Sequence, residues 1–598
     1  MKHDDDAMTG GPLSGRPEAT ADETAAEGGL DRRQFLGGVG GVTAGALAGG
    51  LGGLGGLAAA GRAEAHEIAP LPGDERKNRA FKIRHDAAIR EKQRPLVTTS
   101  CNGDEERFPN RIGNYSKCLP HDATTGEVAP AAYQQLLAAL ATDDFAAYSA
   151  LPMAGTFRLA NPMGGLGFNL IGPDNRPVSA PPPPTVDSAE LAAQAAELYW
   201  MQVLRDVPFF DWDTDPLVQE ACDDLSAMPG YTGPRDPGSG DVTPQELFRV
   251  DFPGVTTGPI VSQFLMRGFN YDGIFVQEPK IQTVLPGAEQ NFLTSKPEWI
   301  ASRNGFPAGS PGFSGAFDPV FRYPRSVRDL GHIAGQDVIY STYFRAVMIF
   351  RLSFGGALMD QNYLYRTTPG HFGFATLGFG DFVVDLAAAC QGERPTWYSK
   401  WQLHRFLRPE EYGGLVHRLL AEGADYPIHP SLLASPVLGK VFDLNKASNQ
   451  ARGQGSDGSY FLGQMFRQGC PTHPSYPAGH AFTAGASVTV LKAWWNEDIG
   501  FPGPRQPTAD GTTFVAYPGA LSIGGELNKL AYNLSFGRDM SGVHWRVDDV
   551  AGLLQGEEFA IRHLSEKVRT YPEPFAGFTL RKFEGTQIVI TGDGPVPA

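Results

Sequence analysis

The sequence predicts a mainly α protein, with a helical bundle in its C-terminal half, long loops around it and a small β-hairpin at the C-terminal end. Three observations carry that expectation. From Thr342 onward apolar residues recur at helical spacing in long segments. The 73 Gly and 48 Pro are concentrated in the leader and the connections, as in a loop-rich globular chain. Only the tail from Phe578 alternates apolar and polar residues in the manner of a half-buried strand. The 598 residues suffice to bury a large core. They divide into a leader (1–65), an N-terminal helical and loop-rich region (66–340) and the C-terminal bundle (341–598).

Arg32-Arg33-Gln34-Phe35-Leu36 is followed by a weakly apolar Gly/Ala/Leu stretch and by Ala63-Glu64-Ala65, a small-x-small cleavage pattern. This resembles a bacterial Tat leader and implies export, to the periplasm or beyond; so many glycines make a poor membrane-spanning helix. Residues 66 to about 130 read as extended and loop-rich. Ala131–Ala147 and Ser188–Arg205 read as helices, joined through the polyproline-like run Pro181–Pro184. Residues 206–240, acidic and rich in Gly and Pro, read as loop, Pro244–Phe248 and Val261–Leu265 as short helices, and Pro307–Ala316 as another loop. The bundle helices are expected at Thr342–Tyr363, Gly380–Cys390, Thr396–Leu407, Gly479–Trp495 and His544–Val568. Pro409 is expected to end the third of these, because the residue before a proline is pushed out of the helical region. Phe578–Phe583 and Thr586–Ile590 form the hairpin around Glu584-Gly585.

A net charge of −16 excludes a general nucleic-acid binder, which needs a basic footprint. The five cysteines show no metal-binding spacing; Cys101 and Cys118 lie in one loop-like segment and are candidates for a disulfide outside the cytoplasm.

Against this acidic background, three short segments concentrate the donors that match a tetrahedral oxyanion. The first is Lys400 with Arg408-Pro409. On one continuous helix these two side chains are separated by about 80° and ~12 Å of rise, within reach of a common point. The second is His473-Pro474-Ser475-Tyr476-Pro477-Ala478-Gly479-His480, where Gly479 opens a helix whose free amides favour negative charge and His480 stands beside them. The third pairs Arg538, a two-oxygen clamp, with His544, whose neutral imidazole can bond a central atom. Taken singly each is as well explained by a helix start, a capping region or a solvated basic helix end. Other histidines, His371, His404, His417 and His429, fit no such pattern.

Lys-x7-Arg-Pro, then Pro-x-Gly-His, then Arg-x5-His, in that order, resembles the signature of the vanadium-dependent haloperoxidases and the acid phosphatases that share their fold. The Lys-to-Arg spacing, the extra His473 in Cys470-Pro471-Thr472-His473-Pro474-Ser475-Tyr476-Pro477, and Trp401–Gly414 are similar to the algal and bacterial bromoperoxidase type. Phe292-Leu293-Thr294, Glu298-Trp299 and Arg303-Asn304-Gly305 extend the likeness over roughly residues 75 to 598. The resemblance implies a vanadate cofactor bonded by His544, with Lys400, Arg408, the Gly479 amide and Arg538 on its oxygens. His480 would move a proton as hydrogen peroxide binds, His473 would assist, and Lys400 would help polarise the peroxide. Halide would be oxidised to hypohalous acid, which halogenates small organic acceptors. Dimers or assemblies of dimers are implied as well. One position departs from the pattern: Ala478 stands where the family usually has serine, and the missing hydroxyl points to bromide and iodide over chloride. The competing readings are a secreted phosphatase with His544 as nucleophile and His480 as general acid, and an anion-binding or scaffold protein with a decayed site.

Overall fold

The computed structural model describes residues 70–598 apart from 72, 98–99, 171, 272–274, 309–316, 339 and 355–362, so the expected leader lies outside the described residues. Among the described residues, strands occur only as two two-stranded ribbons and one three-stranded sheet; helices form the rest of the regular structure. No helix among them is long and apolar enough to cross a membrane.

Prolines open helices here more often than they close them. Pro130–Leu140 and Pro216–Ala227 both begin on proline, whose fixed φ suits the first helical position and whose missing N–H would be unbonded there. Asp215 caps the second by accepting from the amides of Leu217 (2.8 Å) and Val218 (3.2 Å). The loop expected over 206–240 is therefore interrupted by a helix. Pro409 likewise starts a helix, Pro409–Glu422, and does not end one. The expected Ala131–Ala147 helix is two pieces, Pro130–Leu140 and Phe145–Ser149, the latter capped by Asp144. Residues 66–130 are not all loop: Gly73–Gln93 is helical, with no buried residue and hence no apolar stripe to read. The short helices expected at 244–248 and 261–265 are turns; Phe248 takes a positive φ of 62°, and Leu265 N–H closes a turn on Ser262 O.

Ala189–Val203 begins on Ser188, whose side chain accepts from Leu191 N–H, as the sequence leads one to expect. Lys296–Arg303 and Val327–Gln336 follow. Ser341–Ile349 runs on as a π-helical turn, Phe350–Phe354. Phe379–Gln391, Gly479–Trp494 and Arg546–Val568 match expectation closely, although His544 lies two residues ahead of the last. Three further helices, Pro409–Glu422, Val437–Ala451 and Ile523–Met540, were not expected. Ile523–Met540 is buried on every face, and its polar residues bond neighbouring segments: Asn533 to Ile260 O and the Ser262 amide, Asn528 to Pro253 O, Lys529 to Thr257 O. At the C-terminus the hairpin Phe578–Arg581/Gln587–Thr591 gains a third antiparallel strand, Gly594–Pro597.

From Ile83 to the C-terminus the described residues fall in one compact unit. Its main apolar core is continuous from Ala180 through Leu330, Phe382, Phe482 and Leu530 to Ile590, with no break at position 340. At its centre Gly479–Trp494 and Arg546–Val568 touch backbone to backbone. A Cβ on Gly552 would stand 2.5 Å from Ala478 O, one on Gly556 2.1 Å from Phe482 O, and one on Gly485 2.1 Å from Leu553 O. All five cysteines are free thiols, so the Cys101–Cys118 pairing is not formed. Cys101 is exposed and donates to Leu403 O (2.8 Å), while Cys118 is buried, its thiol pushed up to about 12 chiefly by that burial.

Candidate active site

The three segments meet in one buried cationic pocket. Lys400 and Arg408 do not share a helix. Arg394–Tyr398 passes into a π-helical turn, Ser399–His404, and Arg405 at φ 45° stops it, its amide bonding Lys400 O. The Lys400 side chain is fully buried and donates to Pro474 O (3.0 Å) and Ser475 O (2.7 Å). Arg408 sits at the cap of the next helix, where its amide donates to Glu411 Oε2 (2.7 Å). Its guanidinium spreads over the second and third segments, donating to His473 O (2.9 Å) and Val543 O (2.7 Å), and meeting His473 Nδ1 and His544 Nε2, each at 2.9 Å. Two separate elements thus accomplish what one helix was expected to do.

Gly479 is the first residue of its helix and His480 the second, so their amides fall among those without an intrahelical partner. Ala478 precedes them as a cap with no side-chain bond, its own N–H donating to Asp548 O (2.9 Å). The Ser475 hydroxyl donates to Asp548 Oδ2 and is thereby committed elsewhere, so it does not substitute for the hydroxyl missing at 478. Trp397 packs on His473 with ring centroids 5.0 Å apart, and His473 lies 6.5 Å from His544.

Arg538 ends the Ile523–Met540 helix, and Gly542 (φ 81°) turns the chain back so that His544 reaches the same pocket. His544 Nδ1 lies 2.8 Å from Asp548 Oδ2, which fixes the tautomer: the proton sits on Nδ1 and the Nε2 lone pair faces Arg408. Asp548 was not singled out from the sequence. Its spacing of four after His544 is the signal that could have found it. The four histidines that fit no pattern make other contacts: His404 bonds Ala180 O, His417 stacks on Phe461, His429 caps Pro430–Leu433, and the exposed His371 meets the Tyr365 ring edge-on.

The electrostatics ask for an anion. Arg538 is buried with Nε and Nη1 unpartnered, an expensive state for a cation unless an oxyanion completes it. Burial, then the charge of Arg408, lowers it to about 10. Burial and Arg408 also push Lys400 well below the usual amine range, with the carboxylates of Asp548, Glu393 and Asp549 opposing. His480 is lowered to about 3 by burial and by Arg538, Lys400 and Arg408, while His473 and His544 are lowered by the same kind of surroundings. Among the described residues no cluster of three or more His, Cys, Asp or Glu forms a cage for a bare metal cation. One imidazole lone pair within a ring of positive donors instead suits an oxyanion with a bondable central atom, and vanadate meets that description.

A vanadium-dependent bromoperoxidase of Ascophyllum nodosum is 35% identical to this chain over 546 residues, covering 88% of this chain and 94% of its own length. The chain belongs to the vanadium-dependent haloperoxidase family. A vanadium-dependent bromoperoxidase of Corallina officinalis is 30% identical over 607 residues, covering 87% of this chain and all of its own. The solved homohexameric structure of the second vanadate-dependent bromoperoxidase (AnII) of Ascophyllum nodosum superposes with a TM-score of 0.82 at 32% identity, covering 92% of this chain and 97% of that one. No family model matches the sequence. Within this haloperoxidase the mainly α bundle expected from the sequence is the family fold, and the phosphatase alternative is set aside.

Proposed function

We propose that this haloperoxidase holds vanadate in the pocket of Lys400, Arg408, Gly479, Arg538 and His544 and oxidises halide, bromide and iodide foremost, with hydrogen peroxide to hypohalous acid that halogenates organic acceptors. The observation that carries the reading is the buried Arg538 guanidinium, with Nε and Nη1 unpartnered, beside an imidazole whose lone pair is fixed by Asp548. Bound vanadate supplies Lewis-acid activation of peroxide. Lys400, Arg408, Arg538 and the Gly479 amide would take its oxygens, and His544 Nε2 its metal, Arg408 Nη1 turning from Nε2 to an oxygen.

His480 is neutral in these surroundings because burial first, and then the charges of Arg538, Lys400 and Arg408, hold its pKa at about 3. An anion offsets those charges, though not the burial, and so raises the basicity of the imidazole, helping it accept a proton from incoming peroxide and return it later. His473, fixed between Arg408 and the Trp397 ring, keeps the wall of the pocket in place.

Export through the Tat route is supported by Arg32-Arg33 and the stretch behind them, and assembly as a homo-oligomer by the homohexameric relative. The test of function is a dye-bromination assay on metal-stripped protein. Activity is expected to be absent in phosphate buffer and restored by orthovanadate. Full activity after stripping, or hydrolysis of a phosphate ester in its place, would overturn the reading.

A further inference from the structure

Glu393 stands immediately before the Arg394–Tyr398 helix and is half-buried. Its Oε2 lies 3.4 Å from where a Cβ on Gly479 would be, so a carboxylate rests against the very residue whose amide opens the anion pocket. The neighbouring cation, Arg394, is held away from the pocket by Phe168 O (2.8 Å) and Asn169 Oδ1 (2.6 Å). Glu393 acts electrostatically on Lys400, favouring its ammonium form. A negative charge beside a site built from positive donors works against every anion that enters, in proportion to that anion's own charge.

We propose that Glu393 sets the anion selectivity of the pocket by penalising dianions more than monoanions. The inference rests on the vanadate reading above and deepens it. At neutral pH orthovanadate is present mainly as a monoanion, whereas inorganic phosphate is in large part a dianion of nearly the same shape. The cationic donors cannot tell the two apart by geometry. A fixed carboxylate can, because its repulsion of a double charge is about twice its repulsion of a single one.

The test is calorimetric titration of metal-stripped wild type, Glu393→Gln and Glu393→Ala with orthovanadate and, separately, with inorganic phosphate at neutral pH. Neutralising Glu393 is expected to tighten vanadate about threefold and phosphate about tenfold, the square of the first factor as the charge argument requires. Either variant suffices, so a folding defect in one leaves the other to decide. Glu584→Gln, which removes an equal charge from the exposed C-terminal hairpin, should change neither constant. Unchanged affinities in the Glu393 variants, equal changes for the two anions, or weaker binding of either would each overturn the selectivity role. Failure of the wild type to bind vanadate at all would instead overturn the proposed function, and the selectivity role with it.

Discussion

Arg538 and Arg546 stand on either side of His544 and are equally hidden, 1% and 3% exposed, yet they live in opposite electrostatic conditions. Burial disfavours the charge of both. At Arg546 that penalty is more than offset by Glu197, to which Nε donates at 2.9 Å and Nη2 also donates, and Nη1 bonds Arg249 O at 2.8 Å; its pKa is raised. At Arg538 burial and Arg408 prevail, Asp549 opposes them only in part, and two of the guanidinium nitrogens have no partner. Arg546 brings its acid with it. Arg538, proposed to meet the ligand, has no carboxylate bonded to it, at a standing cost to the apo protein.

The largest expected effect breaks the comparison outright if it fails. Arg546→Met leaves Glu197 buried and uncompensated and should cost ~3–5 kcal/mol in urea unfolding. Arg538→Met should cost little or nothing in that experiment, yet weaken vanadate binding about 100-fold or more through two lost charged hydrogen bonds. Comparable destabilisation by both would show that Arg538 is as structural as Arg546.

Within the pocket, His544→Ala should abolish measurable vanadate binding because it removes the one proposed bond to the metal. His480→Ala should retain binding and lose most turnover. Equal vanadate affinity in wild type and His544→Ala would refute that division. Ala478→Ser is expected to act more gently. A hydroxyl donating to a charged group contributes ~1.5–3 kcal/mol, so vanadate affinity or halide turnover should rise by about one to two orders of magnitude, and chloride, the poorest of the three substrates, should gain most. Wild-type chloride turnover as fast as bromide would remove the reason for the substitution.

The smallest effect is one of pH. His480 is held at about 3 in the fold against ~6.5 in an unfolded chain. It therefore stays neutral while the unfolded state gains a proton, and stability falls as pH drops below ~6.5 and goes on falling toward 3. At pH 5.5 the destabilisation is about 1.4 kcal/mol, and His480→Asn should remove it. Vanadate should raise the His480 pKa while leaving His404 and His417, both lowered to about 4 chiefly by burial and not by the pocket's cations, where they are. A chemical-shift titration of the three imidazoles with and without vanadate checks this.

The pocket was more legible in the sequence than the path the chain takes to build it. Residues at fixed spacing can be matched whatever backbone connects them, and Lys400, Arg408, Gly479, His480, Arg538 and His544 come together even though the continuous Lys400–Arg408 helix does not exist. The helix Ile523–Met540 escaped notice because glycines and asparagines usually signal loops. There they permit close packing at Gly537 against Leu330 and Ala334 and satisfy buried carbonyls, which only the folded partner segments reveal. Pro409 was read as a helix end and the stretch around Pro216 as loop, when both prolines open helices; what decides it is Asp215 accepting from the Leu217 and Val218 amides and Glu411 accepting from the Arg408 amide, contacts made only in the fold. Asp548 carries one mark in the sequence, its spacing of four after His544, whereas Glu393 carries none, because its place against Gly479 exists only in the fold.

The bare backbone contact between Gly479–Trp494 and Arg546–Val568 leaves nothing adjustable between the amide at one wall of the pocket and the imidazole at the other. Side chains can change rotamer or be traded for others of similar volume, but carbonyl against Cα has no slack in either sense. The pocket is therefore gauged by the main chain, and its width should survive wholesale redesign of the loops and surfaces around it while tolerating not even a methyl group at Gly485, Gly552 or Gly556.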